Sequence, residues 1–143
     1  MTTESWLWKK LKYLEKNVHH NVHLTRHEDE CTSGIPDVSY GIDGVNGWIE
    51  LKAYKHWPKK PETVIPFKNF KISQKRFLRG RGKAGGYCFV MVVFGKEIVL
   101  FHWTDIHVLG ETNKEELLKY AIYKSDIPIA QEELIKILTD STF

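Results

Sequence analysis

One uninterrupted apolar segment, residues 87–94, constrains the fold of this chain more than any other feature of its sequence. An apolar run of this length is typical of a strand that is buried on both of its faces. Helices must then cover both sides of the sheet to which that strand belongs. The chain has 143 residues, which is enough for one domain with a sizeable core. We therefore predict an α/β fold in which helices flank a central mixed sheet.

Hydrophobic spacing and turn residues predict the remaining elements of a single domain that covers residues 1–143. The predicted strands, five with the apolar segment, are 22–29, 37–42, 46–54, 87–94 and 97–103. The predicted helices are 3–18, about 68 or 73 to 79, 112 to about 123, and 130–139. Gly80, Gly82, Gly85 and Gly86 are expected to end the second helix. The core would span about residues 4–103, and about residues 112–140 would form a C-terminal helical extension.

Two short motifs fall on neighbouring predicted strands. The motif Gly-Ile-Pro-Asp, residues 34–37, places an acid where one strand begins, and Trp-Ile-Glu-Leu-Lys, residues 48–52, lies within the next strand. Side chains alternate between the two faces of a strand, so Glu50 and Lys52 point to the same side. Asp37 and Glu50 can then share one divalent cation, with Lys52 beside it.

This arrangement suits the hydrolysis of a phosphodiester bond, which needs an activated water and stabilisation of developing negative charge. Carboxylate oxygens such as those of Asp37 and Glu50 are ligands that Mg²⁺ prefers, and Mn²⁺ is expected to substitute for it. The backbone carbonyl of Leu51 would be a third ligand. Lys52 would hold the attacking water or help to deprotonate it. A salt bridge across a surface hairpin is the alternative interpretation of the same pattern.

A strongly basic segment follows these motifs directly. Residues 52–83 contain eleven Lys and Arg residues and one acid, Glu62, although the net charge of the whole chain is only +3. A basic segment beside a candidate cation site indicates a polyanionic partner, and we expect DNA; a solvated basic face is the alternative. Trp57 would either stack on an exposed base or pack back on the sheet. The residues predicted to contact DNA are Lys55, Trp57, Lys59, Lys60, Lys68, Lys71, Lys75, Arg76, Arg79, Arg81 and Lys83.

Other candidate residues leave alternatives open. Glu4 lies at the head of the apolar stripe of the first predicted helix, where it would either approach a metal ion or complement the helix N-terminus. Glu15 lies on the same face of that helix, nearly three whole turns later. Histidines at positions 19, 20, 23 and 27 form a weak zinc pattern, and we expect them instead to flank the site or to lie near DNA. Cys31 and Cys88 have neither zinc nor disulfide spacing, and they are expected to be a loop thiol and a core residue.

Together, the two motifs resemble the core of the PD-(D/E)xK nuclease superfamily. Gly-x-Pro-Asp followed by Glu-x-Lys is similar to the motifs of VRR-NUC nucleases and archaeal-type Holliday junction resolvases. The later segments at 65–70, 73–74 and 85–90 resemble RecU-type resolvases, so the resemblance covers roughly residues 4–103.

The resemblance implies a restriction-endonuclease-like core with its active site at these motifs. Asp37, Glu50 and Lys52 would carry catalysis, Gln74 would position water or phosphate, and Glu4 would be a further metal ligand or would support one. The implied function is a Mg²⁺-dependent endonuclease for branched DNA, above all four-way junctions, with a role in DNA recombination and repair. Two symmetric cuts require two active sites, so a homodimer is expected.

Two alternatives to a junction resolvase remain open. One is a structure-specific or restriction-like nuclease that acts on flap, nicked or duplex DNA, and the other is a non-catalytic DNA-binding protein with the same fold. The sequence contains no apolar run near the length of a membrane span, and its start lacks a signal-peptide pattern. We therefore expect a cytoplasmic protein, located in the host cytoplasm if it is encoded by a phage.

Overall fold

The computed structural model describes residues 2–28, 34–140 and 142. It contains one mixed sheet of six strands that lie side by side in chain order. The strands are β1 (Val22–Arg26), β2 (Val38–Ile42), β3 (Val45–Tyr54), β4 (Tyr87–Phe94), β5 (Glu97–His102) and β6 (Tyr123–Asp126). The α-helices are α1 (Glu4–Lys12), α2 (Ile72–Lys83), α3 (Lys114–Tyr120) and α4 (Gln131–Leu138), and 3₁₀ segments cover Tyr13–Lys16 and Trp103–Val108. The predicted α/β class, with a mixed sheet flanked by helices, is confirmed.

Among the described strands, β3 and β4 form the one parallel pair, and the crossover between them contains α2. The strands on either side are antiparallel: β1, β2 and β3 form one meander, and β4, β5 and β6 form the other. The parallel pair therefore lies at the centre of the sheet. This central position explains why β4 is apolar along its length, since helices cover it on both faces.

The prediction of five strands was wrong, because β6 adds a sixth at the edge of the sheet. It pairs antiparallel with β5, and Tyr123 lies opposite Leu100. Tyr123 is the one buried side chain in this four-residue strand, so the strand lacks the apolar alternation that would reveal it. The stretch predicted as a C-terminal helical extension thus contributes a strand to the sheet, and α3 ends earlier, at Tyr120.

Helices cover the two faces of the sheet unequally. On one face, α1 and α4 bury apolar side chains such as Leu7, Leu11 and Leu134 against the strands. On the other face, α2, α3 and the segment Trp103–Val108 form a second core over β4 and β5. The second face of β1 and β2, and of the first part of β3, carries polar and half-exposed side chains. This open face leads to the candidate site.

The first helix is shorter than the prediction of residues 3–18. Its N-cap is Thr3, whose hydroxyl accepts a hydrogen bond from the backbone N–H of Trp6 at 3.0 Å. The α-helix ends at Lys12 and continues as a 3₁₀ segment. Val18, the last residue of the predicted helix, is 88% exposed because the chain has already left the helix.

The second helix is longer than predicted, because α2 runs through Gly80 and Gly82 to Lys83. Gly82 lies where α2 meets the segment Trp103–Val108. A Cβ atom at this glycine would lie 2.3 Å from the ring of Trp103, so the close approach of the two elements requires a residue without a side chain. The glycine here permits packing rather than ending the helix.

Three smaller points concern the remaining predictions. β1 ends at Arg26, while Asp29, which was predicted to end it, and Cys31 lie outside the described residues. Cys88 is a buried free thiol in the core, as expected. Within the described ranges, no helix has both the length and the apolar character needed to cross a membrane.

His20 links the β2–β3 hairpin to the first turn of α4. Its Nδ1 lies 2.6 Å from Oδ2 of Asp43 and its Nε2 lies 2.7 Å from Oε2 of Glu132. Both ring nitrogens therefore face carboxylates, which favours the doubly protonated imidazolium. The hydrogen bonds to Asp43 and Glu132 raise the pKa of His20 above its ordinary value of 6.5.

Replacement of His20 by alanine is expected to destabilise the fold more at pH 6 than at pH 9. A raised folded-state pKa gives a stabilisation that is fully present below about 6.5 and is lost as the pH rises through the raised pKa. Thermal melting of wild type and of His20→Ala at the two pH values measures the difference. His19→Ala is the matched control, because the neighbouring His19 is exposed. An equal loss at both pH values would show that the charged bridge contributes nothing.

Candidate active site

The structure brings Asp37, Glu50 and Lys52 together at the point where β2 begins. Asp37 immediately precedes β2, and its Oδ2 accepts a hydrogen bond from the backbone N–H of Leu51 at 2.8 Å. Glu50 and Lys52 lie on one face of β3, and Oε2 of Glu50 is 3.1 Å from Nζ of Lys52. The shared face predicted from strand alternation is therefore present.

The glycine of the Gly-Ile-Pro-Asp motif positions this segment against α2. Gly34 has a φ of +92°, which side-chain-bearing residues rarely adopt. A Cβ atom there would also lie 2.5 Å from the carbonyl oxygen of Ser73, in the first turn of α2. The motif therefore packs backbone against backbone, and this contact brings the start of α2 next to Asp37 and β3.

Glu50 is a deeply buried carboxyl group that lacks hydrogen-bond donors. Its side chain is 1% exposed, and within the described residues neither of its oxygens has a hydrogen-bond partner. Lys52, at 3% exposure, forms an ion pair with Oε2 at 3.1 Å, while its hydrogen bonds are made to Asn69 and Gln74. A buried carboxyl group without donors is costly to a fold, so this one indicates a site whose ligand supplies the missing contacts.

The acids of the site share an environment that disfavours their ionised forms. Burial, followed by the nearby charge of Asp37, raises the pKa of Glu50 from 4.5 to about 8. Burial also raises the pKa of Asp37, although the Leu51 N–H and the charge of Lys52 offset part of this effect. Burial and the charge of Asp37 raise the pKa of Glu4. In this environment, a metal ion bound by the carboxyl groups would compete with protons for their oxygen atoms.

The structure distinguishes between the two glutamates of the N-terminal segment. Glu4, the first residue of α1, lies near enough to Asp37 and Lys52 for their charges to alter its pKa. Glu15 instead pairs with Lys12 at 2.7 Å and accepts a hydrogen bond from the backbone N–H of Leu24 at 2.8 Å. Glu15 therefore has a local structural role, and Glu4 is the helix acid at the site.

The donor set is compatible with a hard cation bound mainly by oxygen atoms. Within the part of the chain that the structure describes, no three His, Cys, Asp or Glu side chains form a group able to hold a metal ion. Asp37 and the unpartnered oxygens of Glu50 would therefore need other oxygen ligands. The Leu51 carbonyl is one candidate, because the N–H and C=O of a strand residue point to the same edge and the Leu51 N–H faces Asp37. Water and phosphate oxygens would complete the shell, as is common for Mg²⁺.

Lys52 is held in place by the segment that opens α2. Its Nζ donates a hydrogen bond to the carbonyl oxygen of Asn69 at 2.6 Å and another to Oε1 of Gln74 at 3.4 Å. The same Gln74 oxygen accepts the backbone N–H of Lys71 at 2.8 Å, which caps the helix. The ring of Phe70 lies 5.2 Å from the ammonium group. Gln74 thus has two roles: it orients Lys52 and it caps the start of α2.

The basic segment lies along α2 and the loop that precedes it. Apart from Lys52, none of its Lys and Arg side chains forms an ion pair with a described carboxylate. Positive charge without acidic partners beside the site agrees with a polyanionic ligand. These exposed or half-exposed side chains are Lys55, Lys59, Lys60, Lys68, Lys71, Lys75, Arg76, Arg79, Arg81 and Lys83.

Trp57 packs back on the sheet, the second of its two predicted alternatives. Its ring stacks on Phe94 with centroids 3.7 Å apart and an interplanar angle of 12°. On the same ring, the ammonium group of Lys114 lies 4.6 Å from the centroid. Because the ring is engaged in these two contacts, Trp57 is not placed to stack on a DNA base.

A histidine and a backbone carbonyl complete the surroundings of the site. His27 lies beside Asp37: its backbone N–H donates to the Asp37 carbonyl at 2.8 Å, and its Nε2 lies 2.7 Å from Oγ of Ser39. The His27 ring also lies 5.4 Å from the ring of Trp48. Thus one of the four histidines flanks the site as expected. Asn69 contributes a backbone carbonyl, for which a sequence carries no side-chain signal.

Comparison with known proteins adds no relative to this description. No protein-family model matches the chain, and no curated protein matches it.

Proposed function

We propose that this protein is a metal-dependent nuclease that hydrolyses phosphodiester bonds in DNA, with its active site at Asp37, Glu50 and Lys52. The observation that carries the proposal is Glu50, a buried carboxyl group without hydrogen-bond donors, which lies against a lysine and beside a second acid. The ion pair with Lys52 reaches only Oε2 of Glu50, and Oε1 has no hydrogen-bond partner among the described residues. The unsatisfied oxygens and the unpaired basic segment instead suit a cation and a phosphate.

The chain's own residues have distinct roles in this proposal. Asp37 and Glu50, with the Leu51 carbonyl, would hold the ion, and Glu4 would support it from α1. When bound, Mg²⁺ or Mn²⁺ supplies Lewis-acid stabilisation and lowers the pKa of a bound water. Lys52 orients the attacking water and offsets negative charge at the phosphate, and Gln74 keeps the ammonium group in position.

The topology supports a restriction-endonuclease-like core within the proposal. A helix, an antiparallel three-stranded meander, a crossover helix and a parallel strand follow one another in the chain. The acids lie on the meander, and the crossover helix positions the lysine. The proposed core is therefore α1 to β5, with β6 and α4 completing the sheet and its cover.

Branched DNA is the proposed substrate, and a four-way junction is the preferred form. This part of the proposal rests on the likeness of the motifs to those of junction resolvases, together with the unpaired basic side chains along α2. Paired incisions in a junction need two active sites, so the active species would be a homodimer.

The direct test is cleavage of sequence-matched four-way junction, flap, nicked, single-stranded and linear duplex DNA in Mg²⁺ and in Mn²⁺. Paired symmetric cuts in the junction, absent in Asp37→Ala and Lys52→Ala, are the expected result. Cuts in flap or duplex DNA that depend on the same residues would retain the nuclease and replace its substrate. Binding without cleavage of any substrate in either metal would overturn catalysis and favour a DNA-binding protein.

Metal binding is expected to release close to one proton at pH 7. The pKa of Glu50 is raised to about 8, so its carboxyl group is mostly protonated at pH 7 and must lose its proton to bind an ion. Calorimetric titration of the metal-free protein with Mn²⁺, in two buffers with different heats of protonation, measures this release. The release should shrink at pH 9, where the carboxyl group is already mostly ionised. Equal heats in both buffers at pH 7 would contradict the prediction.

A further inference from the structure

A polar groove with a volume of about 550 Å³ crosses the open face of β1, β2 and β3. Pockets that bind small molecules and cofactors commonly have volumes of roughly 300–1,000 Å³. The lining of this groove includes Thr25, Gly41, Asn46, Trp48 and Arg81. None of these residues belongs to the acid and lysine cluster, so the groove is a separate feature of the same face.

The groove begins directly beside the proposed active site. Asp37 immediately precedes β2, and Gly41 lies within it. The two residues are four positions apart, so they lie on the same face of the sheet. Trp48 and Glu50 likewise share a face of β3 and are two positions apart, about 7 Å along the strand. Gly41 is paired with Asn46 in the hairpin. The groove therefore lies next to Glu50 along the β2–β3 hairpin.

The lining offers exposed polar groups around an open floor. The side chains of Thr25 and Asn46 make no hydrogen bond to any residue that the structure describes, and both are exposed. Gly41 leaves the floor without a side chain, and the half-buried ring of Trp48, which also contacts His27 and Phe77, forms part of the wall. Hydrogen-bonding groups next to an aromatic ring suit a nucleobase, which has polar edges and a flat apolar face.

Arg81 places a fixed positive charge at the edge of the groove. Its guanidinium group lies 5.4 Å from the centroid of the Trp48 ring and 5.0 Å from that of Phe77. The backbone of Gly86 packs closely against the same side chain, since a Cβ there would lie 2.7 Å from Cγ of Arg81. No described carboxylate pairs with it. An exposed guanidinium beside aromatic rings and without an acidic partner suits a phosphate group.

We propose that this groove binds one unpaired nucleotide of the DNA strand next to the bond that is cut, with the base beside Trp48 and the phosphate on Arg81. The inference rests on the proposed nuclease function and specifies the DNA that it recognises. A base stacked and paired within a duplex cannot enter the groove, because it would first have to leave the stack. DNA with unpaired nucleotides at the cleavage point would therefore be favoured.

The test compares two DNAs that differ by one unpaired nucleotide. One is a linear duplex, and the other is the same duplex with a single 2-aminopurine bulge. Binding is measured by fluorescence anisotropy in EDTA, where no cleavage occurs. Wild type should bind the bulged DNA at least tenfold more tightly, with a change in 2-aminopurine fluorescence as the base enters the groove. Equal affinities for the two DNAs would overturn the inference.

Gly41→Val narrows the groove at its floor, away from the acid and lysine cluster. A Cβ at Gly41 meets only Oδ1 of Asn46, at 3.3 Å, and a β-branched residue suits a strand. This variant should lose the preference for the bulge and retain wild-type affinity for the duplex. Retention of the preference by a folded Gly41→Val protein would also overturn the inference.

Arg81→Gln provides a second test that does not change the shape of the groove floor. It should weaken binding of the bulged DNA more than that of the duplex. Arg79→Gln, on the same helix but outside the groove, removes the same charge and should weaken both equally. Equal effects of the two variants would refute the phosphate role of Arg81.

Cleavage separates this inference from the proposed function. If wild type cuts DNA through Asp37 but Gly41→Val retains the bulge preference, the nuclease stands and the nucleotide site fails. If no DNA is cut in any metal but the preference depends on Gly41 and Arg81, the nucleotide site stands and the nuclease fails.

Discussion

Replacement of Glu50 by glutamine is expected to reduce metal-dependent DNA cleavage by about three orders of magnitude. The amide keeps the size of the side chain but removes the charge that would hold the ion, which costs about 4 kcal/mol of transition-state stabilisation. Initial rates on whichever DNA the wild type cuts, at saturating Mg²⁺, measure the loss. Glu116→Gln makes the same chemical change on the exposed surface of α3 and should cut normally. Cleavage by Glu50→Gln within tenfold of the wild-type rate would contradict the proposed site.

The same variant is expected to fold as well as wild type at pH 7, so the lost activity will not reflect unfolding. Burial and Asp37 raise the pKa of Glu50 to about 8, and the wild-type carboxyl group is therefore mostly neutral at pH 7 in the absence of metal. A raised pKa favours folding below about 4.5, and this contribution is lost as the pH rises through about 8. Glutamine does not titrate. Between pH 7 and 9 the metal-free wild type should therefore lose stability relative to Glu50→Gln, which thermal melting can measure.

Replacement of Gly82 by alanine is expected to lower the free energy of unfolding by about 1–3 kcal/mol. The added Cβ would lie 2.3 Å from the ring of Trp103, so α2 and the Trp103–Val108 segment would have to move apart. Alanine has a better helix propensity than glycine by up to about 1 kcal/mol, which offsets part of this cost. Chemical denaturation of both proteins measures the difference.

Gly80→Ala is the matched control for this prediction. Gly80 lies one half-turn earlier in the same helix, and a Cβ there would meet nothing within 4 Å. Without a steric cost, the variant should be more stable than wild type by about 0.5–1 kcal/mol. Opposite signs for the two variants would confirm that contact with Trp103, not the helix itself, requires a glycine at position 82. Destabilisation of equal size in both would contradict it.

The strongest periodic signals in the sequence predicted the central elements correctly. The apolar run 87–94 is β4, with bounds as predicted, because a strand covered on both faces has no reason to contain polar residues. The alternation in residues 48–52 placed Glu50 and Lys52 on one face, because the pleat of a strand follows from local backbone geometry.

Weak or conflicting local signals led to the wrong predictions. β6 has four residues and one buried side chain, so its pairing with β5 is determined by the neighbouring strand rather than by its own pattern. Gly80 and Gly82 were predicted to end α2, but the helix continues through both. At Gly82, the close contact with Trp103 compensates for the cost of a glycine inside a helix. In each case a tertiary contact outweighed a local propensity.

By itself, the sequence determined the fold class, the face shared by Glu50 and Lys52, and the concentration of positive charge after them, since each follows from residue order and backbone periodicity. The tertiary structure alone decided what surrounds these residues. Burial left Glu50 without hydrogen-bond donors, the carbonyl of Asn69 and the amide of Gln74 came to hold Lys52, and Glu4 rather than Glu15 came to the site. These properties arise because residues far apart in the chain meet in three dimensions, and no local pattern encodes the distance or the solvent between them.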